Sequence, residues 1–306
     1  MILYLEHNDW ESVSAEGIAM PIAPTSSNHT HVMQCLEIWG GNEAVEASLS
    51  IPGIDAWVSS TPYHGDTDGG DVRYVSMCGA GRISRFALAD VSGHGTTVGE
   101  LGQFLRKLMR KHIRTLDQTV FARTLNDEFA HLAKDGHFAT AVLATYFAPT
   151  DHLIICNLGH PRPLWYRSDT ATWTVVDHVV SEPVPAIHNL PLGIIEGTQY
   201  MQFAIKLGER DMVLLFTDAL IEARNPRGEM LGEEGLLALI RQLPAGSPSE
   251  MGKNILASVA AYRGTLPPND DQTLLVLHHN ATNPPPQSLG EKIRVMARML
   301  GLDLKH

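Results

Sequence analysis

The stretch FALADVSGHG, residues 86–95, places a carboxylate at the end of a run that is typical of a buried strand. Four apolar residues (86–89) lead into Asp90, and the chain then turns through Gly93 and Gly95. A carboxylate is costly to bury unless a positive group meets it. A basic side chain, a helix N-terminus and a metal ion are the candidates for that group.

Three further acids stand beside predicted strands. Asp71 closes the glycine-rich GDTDGGD (65–71), where glycines let the backbone approach a ligand before a strand begins. Asp218 follows the apolar run DMVLLF, and Asp270 precedes the last apolar run, with Asp271 beside it. If these strand ends converge, divalent cations are the partners that best offset so much negative charge. A ligand set made only of oxygens favours Mg²⁺ or Mn²⁺ over zinc.

The apolar periodicity predicts strands in groups, with helices in pairs between them. Predicted strands lie at 51–60, 72–77, 85–89, 140–148, 152–159, 173–180, 200–207, 211–216 and 273–279. Predicted helices lie at 101–109, 121–132, 233–243, 250–262 and, after a proline-rich linker, 290–300. Residues 1–50 show no regular pattern, with a turn predicted at Gly40–Gly41. This grouping favours an α+β sandwich over a regular βαβ array.

The composition excludes several classes of protein. The 306 residues carry 23 basic and 34 acidic side chains, with no basic run, so we expect no nucleic-acid partner. The three cysteines are far apart, which predicts neither a disulfide framework nor a thiolate zinc site. No signal peptide and no apolar run long enough for a membrane span is present. We therefore expect a soluble, cytoplasmic protein.

Six motifs follow one another in an order that resembles a known family. They are GGD, ADVSGHG, LGHPRPLWY, PLGI, LLFTDALIEA and DDQTLLVL, spread over residues 51–279. This order resembles the SpoIIE/RsbU-type serine/threonine phosphatases, the bacterial branch of the metal-dependent type-2C protein phosphatases. The resemblance implies an αββα sandwich, in which two antiparallel sheets are flanked by helices.

The resemblance also implies a binuclear metal site and the residues that form it. Asp90 matches the acid that bridges both metals, Asp71 matches a ligand of one metal, and Asp218 and Asp270 match ligands of the other. The backbone carbonyl of Val91 matches a main-chain ligand. The implied cofactors are Mn²⁺ or Mg²⁺, as two ions or three. The implied substrate is a phosphoserine or phosphothreonine protein, such as a STAS-domain anti-anti-sigma factor in a sigma-factor-regulating pathway.

Several residues near the motifs leave alternatives open. The family usually has glycine where this chain has Ala219, so the loop can differ and the activity can be reduced. The second hypothesis is a catalytically silent pseudophosphatase that binds proteins, which the loss of a metal-ligand acid would indicate; no such acid is lost. His94 is a candidate general acid for the leaving oxygen, whereas we expect His160 to order a loop, and His64 is ambiguous. A hydrolase that uses Ser92 as nucleophile is disfavoured, because DVSGHG lacks the G-x-S-x-G spacing.

Three segments are predicted along the chain. Residues 1–50 form an N-terminal segment without a recognisable sensor domain, 51–280 the phosphatase domain, and 281–306 the linker and an amphipathic helix. The apolar stripe of that helix predicts docking on this chain, on a second copy to give a homodimer, or on a regulatory partner.

Overall fold

In the computed structural model, two β-sheets face each other and pairs of helices cover their outer surfaces. The structure describes residues 30–34, 37–78, 81–93, 96–113, 115, 117–133, 136–177 and 188–284. The first sheet contains, in spatial order, β1 (Thr30–Val32), β3 (Val45–Ile51), β4 (Ile54–Thr61), β13 (Gln272–His279), β12 (Met212–Phe216), β9 (Leu164–Arg167) and β10 (Thr172–Val175). The second contains β11 (Phe203–Lys206), β8 (His152–Leu158), β7 (Ala139–Phe147), β6 (Ile83–Val91), β5 (Asp68–Cys78) and β2 (Ile38–Glu43).

The four helices of the described residues come in the two predicted pairs. They are α1 (Thr96–Lys111), α2 (Gln118–Ala130), α3 (Gly232–Ile240) and α4 (Pro248–Arg263). Two of them begin at N-capping residues. The Asp117 carboxylate accepts hydrogen bonds from the first turn of α2, and Ser247 and Glu250 form a capping box at the start of α4. No helix within the described ranges is long and apolar enough to cross a membrane.

Three apolar layers hold the sandwich together. The central layer lies between the sheets and includes Val58, Phe86 and Val213. The second layer packs α1 and α2 on the second sheet, and the third packs α3 and α4 on the first. The expected αββα arrangement is therefore confirmed; among the strands that the structure describes, β1 and β3 are a parallel pair and the other neighbours are antiparallel.

Most predicted elements appear in the structure, but the prediction of an irregular N-terminal segment is wrong for residues 38–50. Residues 38–51 are not irregular. Strand β2 pairs with β5 in the second sheet, and β3 pairs with β4 in the first. Gly40 and Gly41 are not a turn but lie within β2, beside a bulge before Glu43. Gly40 has a φ of +145° and brings β2 so close to β5 that a Cβ there would lie 2.2 Å from the Arg73 carbonyl oxygen. Glycine at position 40 is therefore required for its backbone conformation and for close strand contact, not for a turn.

Other boundaries also differ from the predictions. The strand predicted at 173–180 ends at Val175, and the one at 200–207 is shortened to β11. Strand β5 begins at Asp68, so Asp71 lies inside a strand and not before it. The predicted terminal helix and its docking lie outside the described residues, as does most of the segment 1–50.

The contact between α4 and β4 gives a test of the fold. Gly252 is buried on α4, and a Cβ built there would lie 2.1 Å from the Trp57 ring. We expect Gly252→Ala to destabilise the protein by about 1–3 kcal/mol, because the helix must move away from the sheet. Urea unfolding measures this loss. Ala257→Val on the exposed face of α4 is the control, with an expected loss under about 1 kcal/mol; equal stability of Gly252→Ala and the parent protein would contradict the packing.

Candidate metal centre

Acids from both sheets meet at one end of the sandwich. Asp71 on β5 lies directly opposite Asp90 on β6 in the antiparallel register. Asp218 begins a short 3₁₀ turn after β12, and Asp270 and Asp271 immediately precede β13. The structure brings together the acids that the sequence singled out. Four of them act electrostatically on Asp90: Asp71, Asp218, Asp270 and Asp271.

The alternation of the strands explains why these side chains face one another. Val75 of β5 and Phe86 and Leu88 of β6 belong to the layer between the sheets. Side chains two residues apart point to the same face of a strand. Asp71 and Asp90 therefore continue the inner faces of β5 and β6, at the point where the apolar layer ends.

Crowding and burial disfavour the charged form of these acids. Burial, followed by the charges of Asp71 and Asp218, raises the pKa of Asp90 to about 9. Burial likewise raises the pKa of Asp71 well above its usual range, and nearby hydroxyls offset this in part. For Asp218, burial and then the charge of Glu222 raise the pKa to about 6. Without a cation, this end of the sandwich concentrates unfavourable negative charge.

The two neighbouring acids before β13 have different surroundings. Asp271 is buried, and its two oxygens accept hydrogen bonds from the backbone N–H groups of Tyr63 and Gly70, each at 2.5 Å. Asp270 is partly exposed and accepts a hydrogen bond from the Asp271 N–H at 2.8 Å. Asp271 thus clamps the 3₁₀ turn at Tyr63 and the start of β5, which leaves Asp270 as the better candidate ligand of the pair.

Two glycines let other groups approach β5. A Cβ on Gly69 would lie 2.7 Å from an Asp271 carboxylate oxygen, and one on Gly70 would lie 2.9 Å from the Val91 carbonyl oxygen. Neither glycine has a positive φ, so both are required for space and not for conformation. The GGD motif therefore leaves room for the Asp271 clamp and for a backbone carbonyl beside the acids.

One carboxylate oxygen in the cluster is buried without a hydrogen bond. Asp71 Oδ2 accepts a hydrogen bond from the Thr217 hydroxyl at 2.9 Å, but Asp71 Oδ1 has no hydrogen-bond partner among the described residues. The nearby cation Arg73 lies on the same strand face, and its guanidinium donates to the Glu43 carbonyl at 2.6 Å and lies 2.7 Å from the Glu43 carboxylate. A buried, unpaired anionic oxygen is what a bound cation would satisfy.

The donor set suits Mg²⁺ or Mn²⁺ in chemistry, and its acids lie at one end of the sandwich without surrounding a single point. Carboxylates and a carbonyl are the ligands that such cations prefer. In the part of the chain that the structure describes, no three His, Cys, Asp or Glu side chains already form a group that could hold a metal ion. Like charges repel without a cation between them, which favours separated carboxylates.

The other candidate residues have distinct positions. His94 lies outside the described residues. His64 is exposed in a 3₁₀ turn, next to Tyr63, whose N–H bonds Asp271. His160 is buried; its Nδ1 lies 2.8 Å from the Thr140 hydroxyl, and its backbone exchanges hydrogen bonds with the Asn157 side chain. Burial lowers the pKa of His160 to about 3, so it is a neutral residue with the contacts expected of loop ordering.

Ser92 is not arranged as a nucleophile within the described residues. Its hydroxyl accepts a hydrogen bond from the Phe138 N–H at 3.0 Å. The nearby His137 ring contacts the Ser92 backbone carbonyl and not the hydroxyl. This arrangement supports a structural role for Ser92.

Ala219 occupies the turn without strain. It is buried in the 3₁₀ turn and is not among the described residues that have a positive φ. Its backbone N–H bonds the Asp218 carboxylate and lowers the pKa of that acid, against the larger effect of burial. The departure from glycine therefore preserves the backbone hydrogen bond beside the candidate ligand.

A family model of Stage II sporulation protein E (SpoIIE) matches residues 81–280, about two thirds of the chain. The chain belongs to the SpoIIE family. Among curated relatives, the phosphoserine phosphatase RsbU of Bacillus subtilis (strain 168) is 27% identical over 192 residues, which cover 62% of this chain. The same match covers 54% of RsbU, so the chain spans about half the length of that relative.

Solved structures of related phosphatases share the SpoIIE-family fold. The RsbU and RsbW domains of a Mycobacterium tuberculosis protein match with a TM-score of 0.65 and 23% identity, over 85% of this chain and 71% of that one. The phosphatase domain of Bacillus subtilis SpoIIE with a regulatory fragment matches at 0.64 and 18% identity, over 82% and 71%. The catalytic domain of the phosphatase PstP, solved with two manganese ions, matches at 0.51 and 15% identity, over 74% and 97%.

Sequence reasoning missed several residues that shape the site. The sequence alone does not separate the Asp271 clamp from the role of Asp270, and it does not point to Glu222 or to the Thr217 hydroxyl. Thr217 directly precedes Asp218 and lies two residues beyond Leu215, whose side chain belongs to the inner layer. The strand alternation places the Thr217 hydroxyl inside the sandwich only once Leu215 is known to face the inner layer, which the wholly apolar run of β12 does not reveal by itself.

Charge crowding predicts that a ligand substitution stabilises the metal-free protein. An acid whose pKa is higher in the folded than in the unfolded state lowers stability increasingly as pH rises from its unfolded value toward its folded value. For Asp90 that window runs from 3.8 to about 9. In EDTA we expect Asp90→Asn to raise Tm by several degrees at about pH 8, and by much less at about pH 5.

The control for this measurement is Asp66→Asn, which changes an exposed acid. We expect little change in Tm from that substitution at either pH. A loss of stability for Asp90→Asn at about pH 8 would contradict the crowding of charge described above.

The turn at Ala219 gives a second prediction for the site. Because Ala219 has an unstrained backbone, we expect Ala219→Gly to leave kcat unchanged or to raise it, while costing about 0.5–1 kcal/mol in stability through added chain entropy. Steady-state kinetics at saturating Mn²⁺ and urea unfolding measure the two effects. A clear fall in kcat would show that alanine is adapted to this site.

Proposed function

We propose that this chain is a metal-dependent phosphatase that hydrolyses phosphoserine or phosphothreonine in a protein substrate. The observation that carries the proposal is the convergence of acids from both sheets on one end of the sandwich. Asp71, Asp90, Asp218 and Asp270, with the Val91 carbonyl, would hold two Mn²⁺ or Mg²⁺ ions. Such ions activate water and offset the negative charge of a phosphate.

The residues of the chain supply the frame for this chemistry. The Asp71–Asp90 register fixes two carboxylates opposite each other on neighbouring strands. The Asp271 clamp holds the loop that carries Asp270 against Gly70. His94 stays a prediction as the group that protonates the leaving oxygen.

The substrate and the pathway are proposed from the relatives. RsbU is a phosphoserine phosphatase, and the Mycobacterium tuberculosis structure joins an RsbU domain to an RsbW domain. We propose a phosphorylated STAS-domain protein as substrate, within a partner-switching pathway in the cytoplasm. The acidic chain is consistent with a protein partner and not with nucleic acid.

The second hypothesis, a silent pseudophosphatase, predicts that at least one essential acid is missing or displaced. Every acid that the family resemblance requires is present, and four acids act electrostatically on Asp90. The catalytic hypothesis is therefore favoured over the binding module.

Removal of metal tests the proposed activity. We expect the protein to hydrolyse p-nitrophenyl phosphate and a phosphoserine peptide in Mn²⁺ or Mg²⁺, because both reactions need the activated water. Exhaustive EDTA treatment should abolish both, and added Mn²⁺ should restore them. Full activity after EDTA, with metal content verified by elemental analysis, would contradict the proposal.

Two substitutions test how the roles are divided. Asp90→Asn removes a charge that faces every other acid in the cluster, so we expect a loss greater than that of His94→Ala. The latter should cost at most a general-acid factor of about 10²–10⁴ in kcat. Steady-state kinetics on both substrates make the comparison, and equal or reversed losses would refute the assignment.

A further inference from the structure

A row of three hydroxyl groups crosses the first sheet at the level of the acids. Ser60 on β4 pairs in register with Thr273 on β13, and their side-chain oxygens lie 2.9 Å apart. Thr217, just after β12, exchanges backbone and side-chain hydrogen bonds with Thr273. All three side chains are buried.

The row occupies the inner faces of its strands. Leu215 and Leu275 belong to the layer between the sheets, and Thr217 and Thr273 lie two residues from them on the same strand faces. Three buried hydroxyls in place of apolar side chains need a polar partner inside the sandwich. Asp71, from the opposite sheet, is that partner.

The hydrogen bonds around Thr217 determine where its single proton goes. The Thr217 hydroxyl oxygen accepts from the Thr273 backbone N–H at 3.0 Å, so its proton is free to be donated elsewhere. Asp71 Oδ2 lies 2.9 Å away, and the alternative acceptor, the Thr273 carbonyl, lies at 3.5 Å. The proton therefore goes to Asp71.

We propose that Thr217 is a positioning residue that fixes the Asp71 carboxylate for metal binding. The Thr217 hydroxyl binds Asp71 Oδ2, which leaves Asp71 Oδ1 as the oxygen available to a cation. Because Thr217 directly precedes Asp218, the same bond sets the spacing between acids of the two sheets. This inference rests on the proposed metal-dependent function and adds a residue to it.

Isosteric substitution separates the hydroxyl from the packing. Thr217→Val removes the donor to Asp71 and the acceptor for the Thr273 N–H at nearly constant volume, whereas Thr217→Ser keeps the hydroxyl. Loss of a hydrogen bond that orients a metal ligand typically costs 10–100-fold in metal affinity. We expect Thr217→Val to raise the Kd for Mn²⁺ by about this factor, and Thr217→Ser to remain near the parent value.

Thr145→Val is the matched control. Thr145 is a buried strand threonine whose hydroxyl donates to Gln118 Oε1. Thr145 lies five residues along β7 from Thr140, which is the register partner of Asp90. Five residues of strand separate Thr145 from Thr140 by about 17 Å. We expect Thr145→Val to lower the stability of the protein without changing its affinity for Mn²⁺.

Melting curves in EDTA first establish that each variant is folded. The full chain is then titrated with Mn²⁺ alone, and electron paramagnetic resonance measures the concentration of the free ion. If Thr217→Val does not fold, Thr217→Cys, whose thiol is a weaker donor, should show a smaller loss in the same direction. Unchanged affinity in the folded valine variant, or equal losses in Thr217→Ser or Thr145→Val, would overturn the inference. Absence of Mn²⁺ binding by the parent protein would instead overturn the proposed function, and this inference with it.

Discussion

The repulsion between buried carboxylates is the constraint on which the arrangement of this end of the sandwich depends. Asp71 and Asp90 are register partners on adjacent strands, where like charges destabilise a sheet. Burial and neighbouring acids raise the pKa values of both. A fold retains such an arrangement at a cost in stability, and sites of this kind are typically functional.

The supporting contacts restrain the acids without neutralising them. Backbone N–H groups hold Asp271, and the Thr217 hydroxyl holds one oxygen of Asp71. The buried Arg73, by contrast, is engaged with Glu43. Neutral donors therefore orient the carboxyl groups without supplying the positive charge that would stabilise their ionised form. The close approach of these groups depends on Gly69 and Gly70, where any side chain would collide with a carboxylate or a carbonyl.

The sequence was sufficient to predict the elements whose apolar pattern is strong. The buried run of β12 and the periodic leucines of α1 were predicted because each pattern has one interpretation. Strand β2 was missed because Gly40 and Gly41 resemble a turn locally, and only the partner strand β5 reveals that they serve close contact. The roles of Asp270 and Asp271 could not be separated from sequence, since the distinction lies in backbone donors about 200 residues earlier in the chain.

Crystallography with anomalous scattering from Mn²⁺ tests the central claim most directly. The account predicts anomalous peaks at the end of the sandwich, with Asp71 and Asp90 oxygens within about 2.0–2.6 Å of a cation. It also predicts that Asp218 and Asp270 contact a cation and that Thr217 keeps its bond to Asp71. Manganese bound elsewhere, or no peak among these acids at saturating Mn²⁺, would contradict the claim that the buried carboxylates form a metal centre.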